Sequence, residues 1–266
     1  GSSWRGEQLT YLAKILHSRN SSDEFLNLIN SAKSELNKSS DCLKAEYISK
    51  KKNIELLNKE FDRQRKLDPK LVINLARAKS QGYESWQQAK KNSDFKIFMP
   101  YFEELIFLRK EEANQLSDKL SPWETLAQPY EPDINKDLLF NIFNPLKESI
   151  PSMLQKIKKV DIKKWDIDTS SQKELCNKLL DDFGRNPDLV AIAESPHPFS
   201  ITLGPKDFRI TTRVVKGEPF SSFLATAHEW GHSVYEQGLP NETHQWFAWP
   251  LGQATSMAVH ESQSLF

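Results

Sequence analysis

Apolar residues recur at helical spacing along most of this chain. Leu9, Leu12 and Leu16, then Phe25, Leu26 and Ile29, form stripes three and four residues apart in a region where glycine is scarce. A charged segment from about Asp41 to Lys66 places Leu43, Tyr47, Ile54, Leu57 and Phe61 on one face of a long helix. Its heptad is not sustained, which predicts a helical hairpin against Leu71 to Lys79 rather than a coiled coil. Asp68 and Pro69 open that next helix. From Phe95 to Leu116, Phe98, Phe102, Leu105, Ile106 and Leu108 read as core, whereas Ser121 to Asp133, with Pro122, Pro129 and Pro132, reads as a loop between helical layers. Helices are expected at about Lys136 to Phe143, Leu146 to Lys159 and Ser171 to Phe183.

The exception to helix is about Phe199 to Val215, where Ile201, Leu203, Phe208, Ile210, Thr212 and Val214 alternate around a Gly204, Pro205 turn and predict a short hairpin. A helix follows, capped by Ser221 or Ser222, striped by Phe223, Leu224, Ala227, Gly231 and Val234, and stopped at Gly238. Another is expected from about Leu251. The fold class is mainly α with a short β-hairpin or small sheet. No internal repeat and no composition shift divides the chain. Residues 1–195 form a helical region, and residues 196–266 hold the hairpin and the last two helices.

The chemistry lies in that last region. His228, Glu229, Trp230, Gly231 and His232 read HExxH. Positions four apart on a helix differ by only about 40° around its axis, so the two imidazoles project from one face. A hydrolytic zinc site needs three protein ligands and one position for water, and Glu229 can take that water's proton. Gly231 permits close packing of another element. If these histidines were ordinary helix residues, the helix, caps and stripe would have no reason to fall in register with the motif.

An HxxGxxH-type extension fails, because Tyr235 and Gly238 occupy its Gly and His positions. The downstream helix offers instead Glu261, which falls on a stripe with Ala254, Met257, Ala258 and Leu265. A carboxylate buried there predicts a cationic partner, and the nearest candidate is a metal on the preceding helix. Glu236 and His244 are the rival third ligands. Glu236 drifts around the helix toward solvent, and His244 sits in a polar loop with Asn241, Glu242 and Thr243. Zinc is the default ion, although the same ligands accept cobalt or another divalent metal.

Residues 228–238 (HEWGHSVYEQG), Pro250 to Ala254 and residues 260–264 (HESQS) resemble the carboxypeptidase Taq family of metallocarboxypeptidases. His197, Pro198 and Phe199 match its HPF motif, and Asp207 to Thr211 its DxRxT motif. Further matches are Arg5 to Leu16 with Gly6, Glu7 and Gln8; Trp86, Ala89, Asp94, Phe95, Phe98 and Pro100; and Tyr130, Glu131 and Pro132. The resemblance implies a helical, zincin-like metallopeptidase, 1–266 being a single incomplete domain. It implies His228, His232 and Glu261 as metal ligands and Glu229 as general base, with His197, Phe199, Asp207, Arg209 and Thr211 lining the substrate cleft. The implied activity is removal of C-terminal residues from peptides with broad specificity. The chain departs from the family by a few extra residues around His244 to Trp249. It also lacks the family's later IRxxAD and GxxQDxHW motifs and a further N-terminal segment, so the expectation is a fragment ending inside a helix. A zinc endopeptidase or aminopeptidase, or a metal-binding fragment without turnover, are the alternatives.

Composition narrows the partners. With 36 basic against 36 acidic residues no polyanionic partner is implied, and nucleic acid is not expected. Lys156, Lys158, Lys159, Lys163 and Lys164 are interleaved with Ile157, Val160, Ile162 and Trp165 and read as a solvated helix face. No apolar run approaches a membrane span and no signal peptide is visible. Cys42 and Cys176 lack ligand-like spacing and suit buried thiols in a reducing, cytoplasmic setting rather than a disulfide framework, a single bridge between them being the alternative. Peptides are the expected partners, with a homodimer possible.

Overall fold

The computed structural model describes residues 2–38, 44–117, 119–158 and 165–265. Asp41, Cys42, Leu43, Lys159, Val160, Ile162, Lys163 and Lys164, named above, lie outside the described residues. The chain gathers into two compact units, Gly1–Pro129 and Tyr130–Phe266.

The first unit is helical: α1 (Ser2–Asn20), α2 (Asp23–Asn37), α3 (Ala45–Lys66), α4 (Pro69–Asn92), a 3₁₀ turn at Phe95–Ile97, α5 (Met99–Leu116) and α6 (Pro122–Ala127). Phe25, Leu26 and Ile29 of α2 pack on Ile54, Leu57 and Phe61 of α3, as their stripes predict. The expected pairing of α3 with the start of α4 is replaced. α3 packs on α2, while α4 packs on α1 and, through Leu71, Leu75, Ala78, Leu108 and Leu116, on α5. Asp68 caps α4 by accepting from the Lys70 N–H at 2.7 Å, with Pro69 behind it.

The α1 stripe is also corrected. Leu9, Leu12 and Leu16 face solvent, and the buried face carries Gly6, Thr10 and His17. Small groups let α1 sit close to α4, where a Cβ on Gly6 would lie 3.0 Å from Ser80 Oγ. The Thr10 hydroxyl is satisfied within its own helix, donating to the Gly6 carbonyl at 2.8 Å. Phe102 and Ile106 of α5, expected in the core, are exposed, and Phe95, Phe98 and Phe102 meet one another through edge-on and tilted ring contacts. Buried Glu112 instead bridges Arg63, at 3.0 Å, and Arg109. The proline-rich loop contains α6, started by a capping box between Ser121 and Glu124.

The second unit holds α7 (Lys136–Lys156), α8 (Thr169–Asp182), β1 (Val190–Glu194), β2 (Phe199–Gly204), β3 (Asp207–Thr212), α9 (Pro219–Gln237), a 3₁₀ turn at Pro250–Gly252 and α10 (Met257–Leu265). The two short helices expected around Pro145 are one: α7 runs through Pro145 and Pro151 with every residue at least partly exposed. Lys156 and Lys158 are solvated as expected. The hairpin is present, β2 antiparallel to β3, and β1 adds a parallel strand on the other side of β3. β1 escapes sequence reading because Val190 to Ala193 is a continuous short apolar run without alternation. Leu180, Val190, Phe208, Ile210 and Trp230 form the core that fixes α9 to the sheet and to α8. Cys176 is buried, as expected. Among the described residues no helix is long and apolar enough to cross a membrane.

Candidate active site

Helix α9 begins at Pro219, not at a serine cap; Ser222 lies inside it, fully buried, its hydroxyl donating to the Pro219 carbonyl and to Gln172 Oε1. Gly238 closes the helix as expected, but at φ −78, so the stop needs no left-handed glycine. The expected apolar stripe is not the buried face. Leu224 and Val234 are exposed, and Ser222, Thr226, Glu229, Trp230 and Ser233 are buried. The hydroxyls permit this because they bond locally, Thr226 Oγ1 donating to the Ser222 carbonyl at 2.8 Å.

With Trp230 anchored in the core, His228 and His232 emerge together, ring centroids 4.7 Å apart. α10 crosses them at Gly231, where a Cβ would lie 2.6 Å from Ser264 Cα. That approach carries Glu261 to the histidines: its Oε2 lies 3.7 Å from His228 Nε2 and 3.6 Å from His232 Nε2. Ser264 holds the carboxylate, its hydroxyl donating to the same Oε2 at 2.9 Å. The expected burial of Glu261 is corrected. Its side chain is 48% exposed, and α10 buries Ser264 rather than the stripe of Met257, Ala258 and Leu265. The carboxylate meets the histidines at the rim of an open cleft, so it is placed by helix packing and not by core burial. Residues near Leu251 form a 3₁₀ turn, and α10 starts later, at Met257.

The three donor atoms lie within 4.8 Å of one another. Two imidazole nitrogens and a carboxylate oxygen are a donor set for zinc-like ions, and tetrahedral ligands at 2.1 Å from zinc stand on the order of 3.4 Å apart. The residues therefore fit a divalent cation. Burial pulls His232 below its ordinary imidazole value, against the opposing charge of Glu261, and favours the neutral form that ligates. Burial, and then the Glu261 charge, push the neighbouring Glu229 carboxyl up to about 7.

The cleft, roughly 560 Å³, is lined on one side by His197 and Phe199 to Thr202 and on the other by His228, Glu229, His232, Glu236, His260 and Glu261. His197 and Phe199 therefore reach the cluster. Asp207 and Arg209 do not line it; they pair with each other through two bonds of 2.8 Å, on the sheet face shared with Phe199 and Ile201. Thr211 is buried, and its hydroxyl accepts from the Phe199 N–H at 3.0 Å, which braces the segment carrying His197. His244 accepts from the Trp246 N–H within its loop and stays outside the donor cluster, and Glu236 turns to His260.

Comparison with known proteins reaches the whole chain. A model of the carboxypeptidase Taq (M32) metallopeptidase family matches residues 1–266. The chain belongs to this family. It is 30% identical to thermostable carboxypeptidase 1 of Thermus thermophilus over 99% of this chain and 53% of that one. It is 32% identical to carboxypeptidase 1 of Bacillus subtilis over 81% of this chain and 44% of that one. The crystal structure of BsuCP superposes with a TM-score of 0.88 at 28% identity, covering 100% of this chain and 52% of that one. The chain spans about half the length of the curated relatives it matches.

Two residues matched in the sequence without an assigned role contribute to the site. Glu131 caps α10 from 125 positions away, accepting from the Ser256 hydroxyl and the Ala258 N–H. His260 bonds both Glu236 and His232. Glu131 lies in a stretch that resembles the family, but nothing local to it signals a helix 125 positions away, whereas His260 was visible beside Glu261 on the ligand helix.

Proposed function

We propose that this chain carries the metal-binding and proton-transfer part of a metallocarboxypeptidase that removes C-terminal residues from peptides. The observation that carries the reading is the convergence of His228 Nε2, His232 Nε2 and Glu261 Oε2 beside a buried Glu229. His228, His232 and Glu261 would hold zinc, with cobalt as an acceptable substitute. When bound, such an ion supplies Lewis acidity to a scissile carbonyl and to water. Glu229, whose carboxyl sits near 7 by burial, is suited to accept a proton from attacking water and return it to the leaving amine.

Among the described residues strand β2 pairs on one side only, with β3, and Phe199 to Thr202 border the cleft. An extended peptide can lie along that edge through main-chain hydrogen bonds, which reads little of its sequence and supports broad specificity. His197 and Phe199 would flank it, while Thr211 and the Asp207–Arg209 pair act on substrate through the strand they stabilise. A cytoplasmic peptidase working on peptides, in a single metallopeptidase domain that can form homodimers, is the setting we assign. Restriction to C-termini is supported by the family.

A second reading, metal binding without turnover, is favoured by the lining of the cleft. Among the described residues that line it there is no Lys or Arg to capture a terminal carboxylate, and the chain spans about half of its relatives. The purified chain with saturating zinc, assayed on one peptide with a free and with an amidated C-terminus, tests both. Cleavage of the free form alone supports trimming, cleavage of both supports an endopeptidase, and cleavage of neither with zinc retained supports the second reading.

A further inference from the structure

Besides the proposed ligands and base, the cleft holds two side chains, Glu236 and His260, that lie in series behind His232. Glu236 follows His232 by one turn of α9, and His260 immediately precedes Glu261 on α10. His260 Nε2 is 3.0 Å from Glu236 Oε1, and His260 Nδ1 is 2.6 Å from His232 Nδ1. The Tyr235 ring lies against the His260 ring, centroids 4.6 Å apart, and limits its rotation.

For neutral rings this geometry admits one order of protons. A carboxylate only accepts, so Glu236 requires the proton on His260 Nε2. His260 then offers a lone pair at Nδ1 and accepts from His232 Nδ1–H. His232, protonated at Nδ1, is left with a lone pair at Nε2, the atom that faces Glu261 at 3.6 Å. We infer that Glu236 and His260 are positioning residues, a two-link relay that sets the tautomer and ring plane of His232 so that Nε2 is presented to a divalent cation. The inference rests on the proposed ligand role of His232. An imidazole ligand held through its other nitrogen gains a fixed orientation. Here the holder is itself an imidazole, so a carboxylate is needed to order it. α10 thereby supplies one ligand, Glu261, and the group that aims another.

The test uses the full 266-residue chain with ¹⁵N-labelled histidine. Metal-free protein is read by long-range ¹H–¹⁵N correlation, which reports the His232 tautomer, and Co²⁺ affinity is measured by competition with a chelator. Glu236→Leu removes the acceptor, and Glu236→Gln keeps one in its amide oxygen. Glu236→Leu is expected to mix the His232 tautomers and to weaken Co²⁺ binding by about 10- to 100-fold, with Glu236→Gln restoring most of the affinity. His260→Phe, which keeps the ring volume, should lose as much, and the double variant no more than either alone. Should Glu236→Leu fail to fold by circular dichroism, His260→Phe carries the same two readouts. Wild-type tautomer and affinity in the Leu and Phe variants, or a Gln variant as weak as Leu, overturns the relay. If the wild type binds no Co²⁺, the ligand assignment falls separately, and the tautomer alone decides the relay.

Discussion

Gly231 is the residue on which the approach of the two ligand helices depends. A Cβ there would stand 2.6 Å from Ser264 Cα and 2.7 Å from the Gln263 carbonyl, and backbone atoms cannot swing away as a side-chain tip can. Gly231→Ala is therefore expected to destabilise the protein by about 1–3 kcal/mol and to weaken metal binding by pushing Glu261 off the histidines. Gly204→Ala, with open space around its Cβ, is the control. Denaturant midpoints and Co²⁺ titrations of the two variants check both claims. The neighbouring acids separate by role. Glu229→Gln is expected to retain the ion while abolishing peptide hydrolysis, whereas Glu261→Gln chiefly raises the metal dissociation constant. Zinc content after gel filtration, set beside hydrolysis rate, distinguishes them.

At the level of elements, local signals were legible and burial only in part, as in the α2 and α3 stripes. Asp68 and Pro69, the Gly204, Pro205 turn and the four-residue spacing of His228 and His232 act within a few positions, and each appears where the sequence places it. Periodicity shows which residues share a face but not which face is covered. The apolar stripe of α1 faces solvent and that of α9 is exposed at Leu224 and Val234, because Gly6, Thr10, Ser222, Thr226 and Ser233 give closer packing with locally satisfied hydroxyls. Glu261 reaches the histidines although its predicted burial fails, since Gly231 and Glu131 place α10 without covering its carboxylate. Helix α8 gives a pH-dependent case. Asp168 caps it, and hydrogen bonds from the Ser170 hydroxyl, then from Ser171 and the Ser170 N–H, hold its carboxyl well below the ordinary 3.8. A carboxyl depressed in the folded state binds protons more readily when unfolded, so its stabilisation is complete above the ordinary value and fades as pH falls through the depressed one. The difference in thermal midpoint between wild type and Asp168→Ala should be constant from pH 5 to 7 and shrink below pH 4.

For the molecule as a whole, the proposed ion is a cross-link closing on the last helix. The described start of α10 is tied by Glu131, its middle by His260 and Glu261, and its side by Gly231, all within the second unit. Metal-free, Glu261 faces two imidazoles across 3.6–3.7 Å, which is a poor substitute for coordination. An ion bound only by the folded protein adds RT ln(1 + [L]/Kd), about 2.7 kcal/mol at a hundredfold excess over Kd. Removing it with a chelator should therefore lower the melting temperature and, in hydrogen exchange, deprotect α9 and α10 of the second unit. Restoring Zn²⁺ or Co²⁺ should reverse both, and His228→Ala should abolish the reversal. A melting temperature and exchange pattern unchanged by chelator and by added ion would show that these side chains clasp nothing. The charge balance of 36 against 36 gives no reason to expect general electrostatic attraction for cations, so any such response must come from the site itself.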